Sequence, residues 1–265
     1  MKNTSETKPR IISDERKLLG IRHVGDSGLK TGVKAGPAAP VCFLRGTSIL
    51  TSLGATRVED LAVGDLVVTA KGTSLPIKWI GRQHFKQDEG LRWDKAILPI
   101  RISRLALDDR NPQCDLYLSP NHALFIDGVL IPAIYLVNGA SIVQAMPEGV
   151  EEIEYFHIEL ETHEVIFAEG AAAETLLITN DRETFADLTH DKFDNFVEHE
   201  RLYYATGVPS MTACAPRICY NGRRSELKAL LRRAVSPVVD MRDPIQLVHD
   251  RIAARGAEIG NQLVG

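Results

Sequence analysis

Between Cys42 and Ile178 the chain consists of short apolar runs that are repeatedly cut off by turn signals. The runs are SILTS, LVVTA, LPIKWIG, AILPIRI, DLYLS, ALFIDGVLIPAIYLV, SIVQAM, EYFHIELE and EVIFAEG. The breaks fall at Leu53-Gly54, Val63-Gly64-Asp65, Lys71-Gly72, Asp127-Gly128, Asn138-Gly139 and Glu148-Gly149. Many short strands at this spacing predict an all-β domain of hairpins. The clearest hairpin is ALFIDGVLIPA, two apolar runs around Asp127-Gly128. One helical turn is predicted at Val58-Glu59-Asp60-Leu61.

The flanks read differently. The leader, residues 1–41, is polar and ends in GDSGLKTGVKAGPAAP, where no period of 2 or 3.6 survives. One short helix is expected around Asp14 to Leu19. The rest cannot bury enough apolar surface to offset its ordering entropy and is expected to be disordered. From residue 179 to 265 the period becomes helical, with Phe185, Leu188, Phe193, Phe196 and Leu202 at helical intervals. SELKALLRRAV and DPIQLVHDRIAARGAEI predict two more helices, with Ser225 and Asp243 as N-caps. This segment shows no catalytic constellation and is expected to be dispensable for any chemistry in the β domain.

Composition removes several function classes. The 265 residues are 44% hydrophobic and 25% charged, enough for a real core. A net charge of −4 carries no polyelectrolyte signature, so no nucleic-acid partner is expected. No apolar run approaches the roughly 20 residues of a transmembrane helix. The charged C-terminal helices, with Arg223, Arg224, Arg232, Arg233 and Asp250, are a poor membrane surface. The N-terminal MKNTSETKPRIISDERK has no apolar core of the signal-peptide kind. The chain is expected to stay in the cytoplasm or to leave without a cleaved signal, and to be a monomer. Four cysteines, Cys42, Cys114, Cys214 and Cys219, are too sparse for a disulfide scaffold. Cys214 and Cys219 do not have zinc-knuckle spacing, and neither a metal nor an organic cofactor is expected.

Three stretches carry chemistry: CFLRGTSILTSLGATRVEDLAVGDLVVTAKG, LYLSPNHALFIDG and FHIELETHEVIFAEGAAAETL. Together they resemble the Hint domain, the self-processing module shared by Hedgehog C-terminal domains and inteins, and within it the bacterial Hint-like branch. The likeness spans about residues 42 to 178. The first block opens with Cys42, passes Gly46-Thr47, and reaches Val58-Glu59-Asp60-Leu61 and Gly64-Asp65. The family's Thr-x-x-His reads here Ser119-Pro120-Asn121-His122. The stretch Phe167 to Gly170 resembles the strand pair that ends a Hint domain. The resemblance implies a pseudo-symmetric, horseshoe-like all-β fold, followed here by a mainly helical C-terminal tail. It also implies a reaction in which the thiol of Cys42 attacks the carbonyl of Val41. A thiol is intrinsically nucleophilic and partly ionised near neutral pH, with a free pKa of ~8.5. His122 is the candidate to protonate the leaving nitrogen. Ser119 is placed to hydrogen-bond the imidazole or the Val41 carbonyl. The substrate is the chain's own N-terminal segment, and the thioester is resolved by water or another small nucleophile.

Other residues invite structural readings. His157 and His163 alternate with apolar residues and are expected more as structural side chains than as catalysts. Asp60 and Asp65 flank a turn and are expected to cap it. Glu164 lies on the same strand texture, Glu169 is a carboxylate without a visible partner, and Trp79 and Trp93 are expected in or over the core. An intein ends in His-Asn, but Glu174-Thr175 stands at that place and Asn180 has no preceding His. Complete splicing is therefore not expected. The acceptor-activating aspartate of Hedgehog-type domains has only Asp88 and Asp94 as counterparts. The alternative to autoprocessing is a Hint fold kept for binding or as a scaffold. A hydrolase acting with Cys42 and His122 on an external substrate would need a recognition pocket that the sequence does not reveal.

Overall fold

The computed structural model describes residues 41–87, 92–178, 211–218 and 244–262. The leader before Val41, the helices predicted within 180–241, and Asp88, Asn180, Cys219, Ser225 and Asp243 lie outside these residues. The described chain is mostly β. Its strands are β1 Phe43–Leu44, β2 Ser48–Thr51, β3 Gly54–Arg57, β4 Leu66–Val68, β5 Ser74–Pro76, β6 Trp79–Lys86 and β7 Ile100–Ile102. They continue with β8 Leu116–Leu118, β9 Ala123–Ile126, β10 Val129–Pro132, β11 Ile142–Gln144, β12 Glu152–Glu159, β13 Val165–Ala168 and β14 Ala171–Glu174. Single 3₁₀ turns occupy Val58–Asp60 and Ala133–Leu136, and one helix, α1, spans Pro244–Gln262. Among the described residues no helix is long and apolar enough to cross a membrane.

Local chemistry explains the hairpins. Asp127 (φ 51°) and Gly128 (φ 85°) are both left-handed, which is the two-residue turn whose twist matches its strands. It sets β9 against β10 in the register Ile126↔Val129 to Ala123↔Pro132. Glu169 (φ 47°) and Gly170 (φ 82°) repeat the device between β13 and β14.

Two sheets result. A six-stranded sheet has the order β11-β7-β8-β1-β12-β6. An eight-stranded sheet has the order β10-β9-β14-β13-β2-β4-β5, with β3 paired to β2. The two-residue strand β1 lies inside the first sheet, with Phe43 opposite Leu118 on one side and Phe156 on the other. Side chains alternate across a strand. Phe43 enters the main core with Ile100, Leu116, Leu118, Phe156 and Ile158. Cys42 and Leu44 enter a second cluster with Trp79, Ile153, Tyr155, Leu176 and Met211, and Trp93 packs on its rim. The sheet is thus buried on both faces at β1, and a cysteine can sit there without water.

The segment beyond residue 178 does not stand apart from this core. Val248 and Ile252, one helical turn apart on α1, are 1% exposed and belong to the main cluster. Arg255 donates through Nη1 to Asp109 at 2.7 Å, and Arg251 pairs with Asp127 at 2.9 Å. Ile252→Ala should therefore cost about 2–4 kcal/mol, the usual range for emptying a buried aliphatic site. Urea unfolding followed by tryptophan fluorescence would measure it, and a loss below ~0.5 kcal/mol would mean that α1 is not part of the core.

Candidate active site

The site is assembled where β1 meets the turn between β8 and β9. Ser119, immediately after β8, is fully buried, and its Oγ accepts the Cys42 N–H at 2.7 Å. In return the Ser119 N–H donates to the Cys42 carbonyl at 3.0 Å. The Ser119 side chain thus holds the amide nitrogen of the Val41–Cys42 bond. His122 closes the same turn, with its N–H on the Ser119 carbonyl at 3.0 Å. Its ring packs on Phe43, with centroids 4.3 Å apart and planes tilted by 58°. Cys42, Ser119 and His122, up to 80 positions apart in sequence, thus lie around one turn at the start of β1.

Charge and burial set the protonation states. The His122 Nε2 lies 3.0 Å from the Glu174 carbonyl, which only accepts, so Nε2 carries the proton in the neutral ring. Nδ1 is buried and has no hydrogen-bond partner. Burial lowers the His122 pKa to about 4; the opposing pulls of the Glu174 carboxylate and of the Cys42 backbone only partly restore it, and Arg217 lowers it further. The ring is therefore neutral at pH 7. Burial also pushes the Cys42 thiol well above its usual range, so the resting nucleophile is the thiol and not the thiolate.

Glu174 is the group that sequence reasoning did not assign a role. It ends β14, is 1% exposed, and its Oε1 accepts the Ala123 N–H at 2.8 Å. Arg217 Nη1 bonds both of its oxygens, and His163 Nε2 lies 3.6 Å from Oε2, an ion-pair distance too long for a good hydrogen bond. Burial opposes the charge of Glu174, but His163, Arg217 and His122 outweigh it and hold the pKa at about 2. A lone carboxylate in the alanine-rich AAAETL was the available signal. Its partner Arg217 gave none, because it lies 43 positions away.

The remaining candidates are placed elsewhere. His157 is buried at mid-strand in β12, opposite Gly81. His163 receives the Cys214 N–H on Nδ1 at 3.1 Å and touches the site only through Glu174. Asp94 is exposed and caps its own turn, accepting the Ala96 N–H at 2.8 Å. Asp65 caps the turn at Ala62, at 2.9 Å. Glu169 accepts the Ser48 N–H at 2.7 Å and fastens β13 to β2. Glu164 pairs with Lys71 at 2.9 Å. Cys42, Cys114 and Cys214 are free thiols. Among the described residues no group of three or more His, Cys, Asp or Glu could hold a metal ion.

The family model described as "Hint domain" matches residues 41–180, just over half of the chain. This chain belongs to the Hint domain family. The matched region of this Hint protein contains Cys42, Ser119, His122 and Glu174, and stops before Arg217. No curated protein matches the sequence. Among solved structures the chain is similar to the MchDnaB-1 intein, at 15% identity and a TM-score of 0.35, covering 51% of this chain and 99% of that one. It is also similar to a bacterial intein-like domain from Clostridium thermocellum, at 11% identity and TM-score 0.35, covering 51% and 98%. A DnaB intein from Synechocystis sp. PCC 6803 gives 10% identity, TM-score 0.35 and coverages of 52% and 100%. The family assignment rests on the sequence match, not on these distant likenesses.

The protonation states make a testable statement about stability. His122 has an ordinary pKa near 6.5 when unfolded and one of about 4 when folded. The unfolded chain therefore binds a proton that the native chain refuses between those values, and stability falls as pH drops through that window. At full effect the loss is on the order of 3 kcal/mol. His122→Gln should flatten this part of the pH dependence of urea midpoints. An equally steep fall between pH 6.5 and 4 in that variant would contradict a buried neutral His122.

Proposed function

We propose that this Hint domain processes its own chain, cleaving the Val41–Cys42 bond by an N–S acyl shift without splicing. The observation that supports this reading best is the grip of Ser119 Oγ on the Cys42 nitrogen at 2.7 Å, beside a buried His122. In the reaction Sγ bonds to the Val41 carbonyl carbon and the C–N bond breaks. The proton lost by the thiol is the one gained by the Cys42 nitrogen, so the step balances without a cofactor. The product is a thioester on Cys42, and water or an added nucleophile then releases the segment ending at Val41.

Each residue has a physical task. Ser119 fixes the scissile amide so that Sγ and the carbonyl stay in one orientation, which is worth much of a barrier when geometry is held tightly. His122 carries the proton to the nitrogen. An imidazolium with a pKa of about 4 is scarce at pH 7, but it is a strong acid toward a weakly basic amide nitrogen. Glu174-Thr175 cannot cyclise as an Asn would, so no second cut follows. Thr175 is instead tied to Glu164 by two bonds, each of 2.9 Å.

The burial of Cys42 favours a second reading, a Hint fold kept for binding or as a scaffold. A thiol with no exposure and a raised pKa is a poor nucleophile in its resting state.

Intact mass spectrometry distinguishes the two. With dithiothreitol or hydroxylamine the unmutated chain should yield a fragment ending in Val41 and one beginning with Cys42, the latter uncut elsewhere. Cys42→Ala should abolish the cleavage and Cys42→Ser should leave a trace through an ester. His122→Ala should slow it by roughly 10²- to 10⁴-fold, and Ser119→Ala by less. Persistence of the full-length mass through long incubation at several pH values would discard autoprocessing in favour of the scaffold.

A further inference from the structure

Arg217 lies beyond the matched Hint region, yet its guanidinium reaches the residue before His122 directly and the residue after it through Glu174. Nη1 bonds both oxygens of Glu174, and Nη2 donates to the Asn121 carbonyl at 2.5 Å. Glu174 Oε1 accepts the Ala123 N–H at 2.8 Å. The peptide groups before and after His122 are thus tied to one ion pair. The third tie is to the ring itself, from Nε2 to the Glu174 carbonyl at 3.0 Å. With both flanking peptides and Nε2 held, the imidazole cannot turn over, and Nδ1 remains the buried nitrogen without a partner.

The segment that delivers Arg217 is itself docked. The Met211 N–H donates to Ile178 at 2.7 Å, the Leu130 N–H to Pro216 at 2.8 Å, and the Ile218 N–H to Leu130 at 2.9 Å. Residues 211–218 thereby cover the outer edge of β10, the last strand of its sheet. Cys214 adds its N–H to His163 Nδ1 at 3.1 Å, which leaves the His163 proton on Nε2, facing Glu174. Arg217 is 24% exposed and Glu174 1%, so most of the pair is shielded from water. A buried carboxylate that loses its guanidinium must find other compensation. Among the described residues the charged groups that bear on His122 are Glu174, which raises its pKa, and Arg217, which lowers it.

We propose that Arg217 is a positioning residue for His122, and that residues 211–218 complete the site from outside the matched Hint region. The effect on rate rests on the autoprocessing reading, whereas the orientation of the ring does not. On this proposal the chemistry depends on one side chain beyond residue 178, where the sequence pattern leads to the expectation that the whole segment is dispensable.

The test uses the full chain and the variants Arg217→Met, Arg217→Lys and, as a control in a neighbouring ion pair, Lys71→Met. The first readout is ¹⁵N NMR of the His122 ring. The parent should show the Nε2–H tautomer and a titration midpoint near pH 4. Arg217→Met should mix the tautomers and raise the midpoint toward that of an ordinary histidine, while Lys71→Met should leave both unchanged. The second readout is hydroxylamine-induced cleavage, which should fall by about 10- to 100-fold in Arg217→Met. If the parent does not cleave, autoprocessing fails, and the ring signals still decide the positioning role. A folded Arg217→Met with the parent's tautomer and midpoint would overturn the proposal. If near-ultraviolet circular dichroism shows that Arg217→Met is unfolded, Arg217→Lys decides. A lysine cannot span carboxylate and carbonyl with a rigid fork, so its tautomer ratio must shift, and a parent-like ratio would overturn the proposal.

Discussion

The arrangement of the site depends on a strand of two residues buried on both faces. Phe43–Leu44 pairs with β8 on one side and β12 on the other. Cys42 and Ser119 are cross-linked by two hydrogen bonds just before it. On the far side the Arg45 N–H donates to the Glu154 carbonyl at 2.8 Å. These bonds fix the path of the chain where it enters and leaves β1. Alternation then does the rest, sending Cys42 and Leu44 to one cluster and Phe43 to the other. The Phe43 ring supports His122, so the same strand places the thiol, the amide nitrogen and the imidazole.

Around this strand the electrostatics oppose one another. His122 and Glu174 are both buried, and each would favour its neutral form if alone. Arg217 and His163 compensate Glu174 and keep it ionised, while His122 stays neutral. Two titratable groups with pKa values driven far apart in one small volume are a recurring feature of sites that move protons. A buried ion pair of this kind is weak evidence for added stability, since desolvation offsets much of the attraction. Its clearer consequence is arrangement, because the pair ties the peptide groups of Asn121 and Ala123 to one another.

The features legible in the sequence were those encoded locally or by motif. Asp127-Gly128 announces its hairpin because the turn conformation belongs to those two residues. The turn at Val58–Asp60 and the helix over Pro244–Gln262 follow from short-range pattern in the same way. Cys42, Ser119 and His122 were found through the family's blocks, which encode a meeting of distant segments that no periodicity contains. Strand β3, GATR, was invisible because it is mostly exposed and carries no apolar alternation, so its pairing with β2 alone defines it. The Glu174–Arg217 pair was illegible for a different reason. A charged residue among alanines shows that something must compensate it, but nothing local says what or from where.

That compensation comes from a segment outside the matched region, and the core points the same way. Val248 and Ile252 of α1 complete the main cluster, and Met211 completes the cluster that holds Cys42. A site that acts on its own chain needs no open pocket. Its reacting bond is delivered by the backbone, and exclusion of water keeps an acyl intermediate from premature hydrolysis. The cost is that burial suppresses both the thiolate and the imidazolium on which the proposed chemistry draws. In the proposed reaction, rate is therefore set by how firmly the neutral partners are held in line, since neither is activated in advance. On that view a guanidinium two bonds removed from the imidazole matters because it governs orientation, the one quantity that a buried, unactivated site can still optimise.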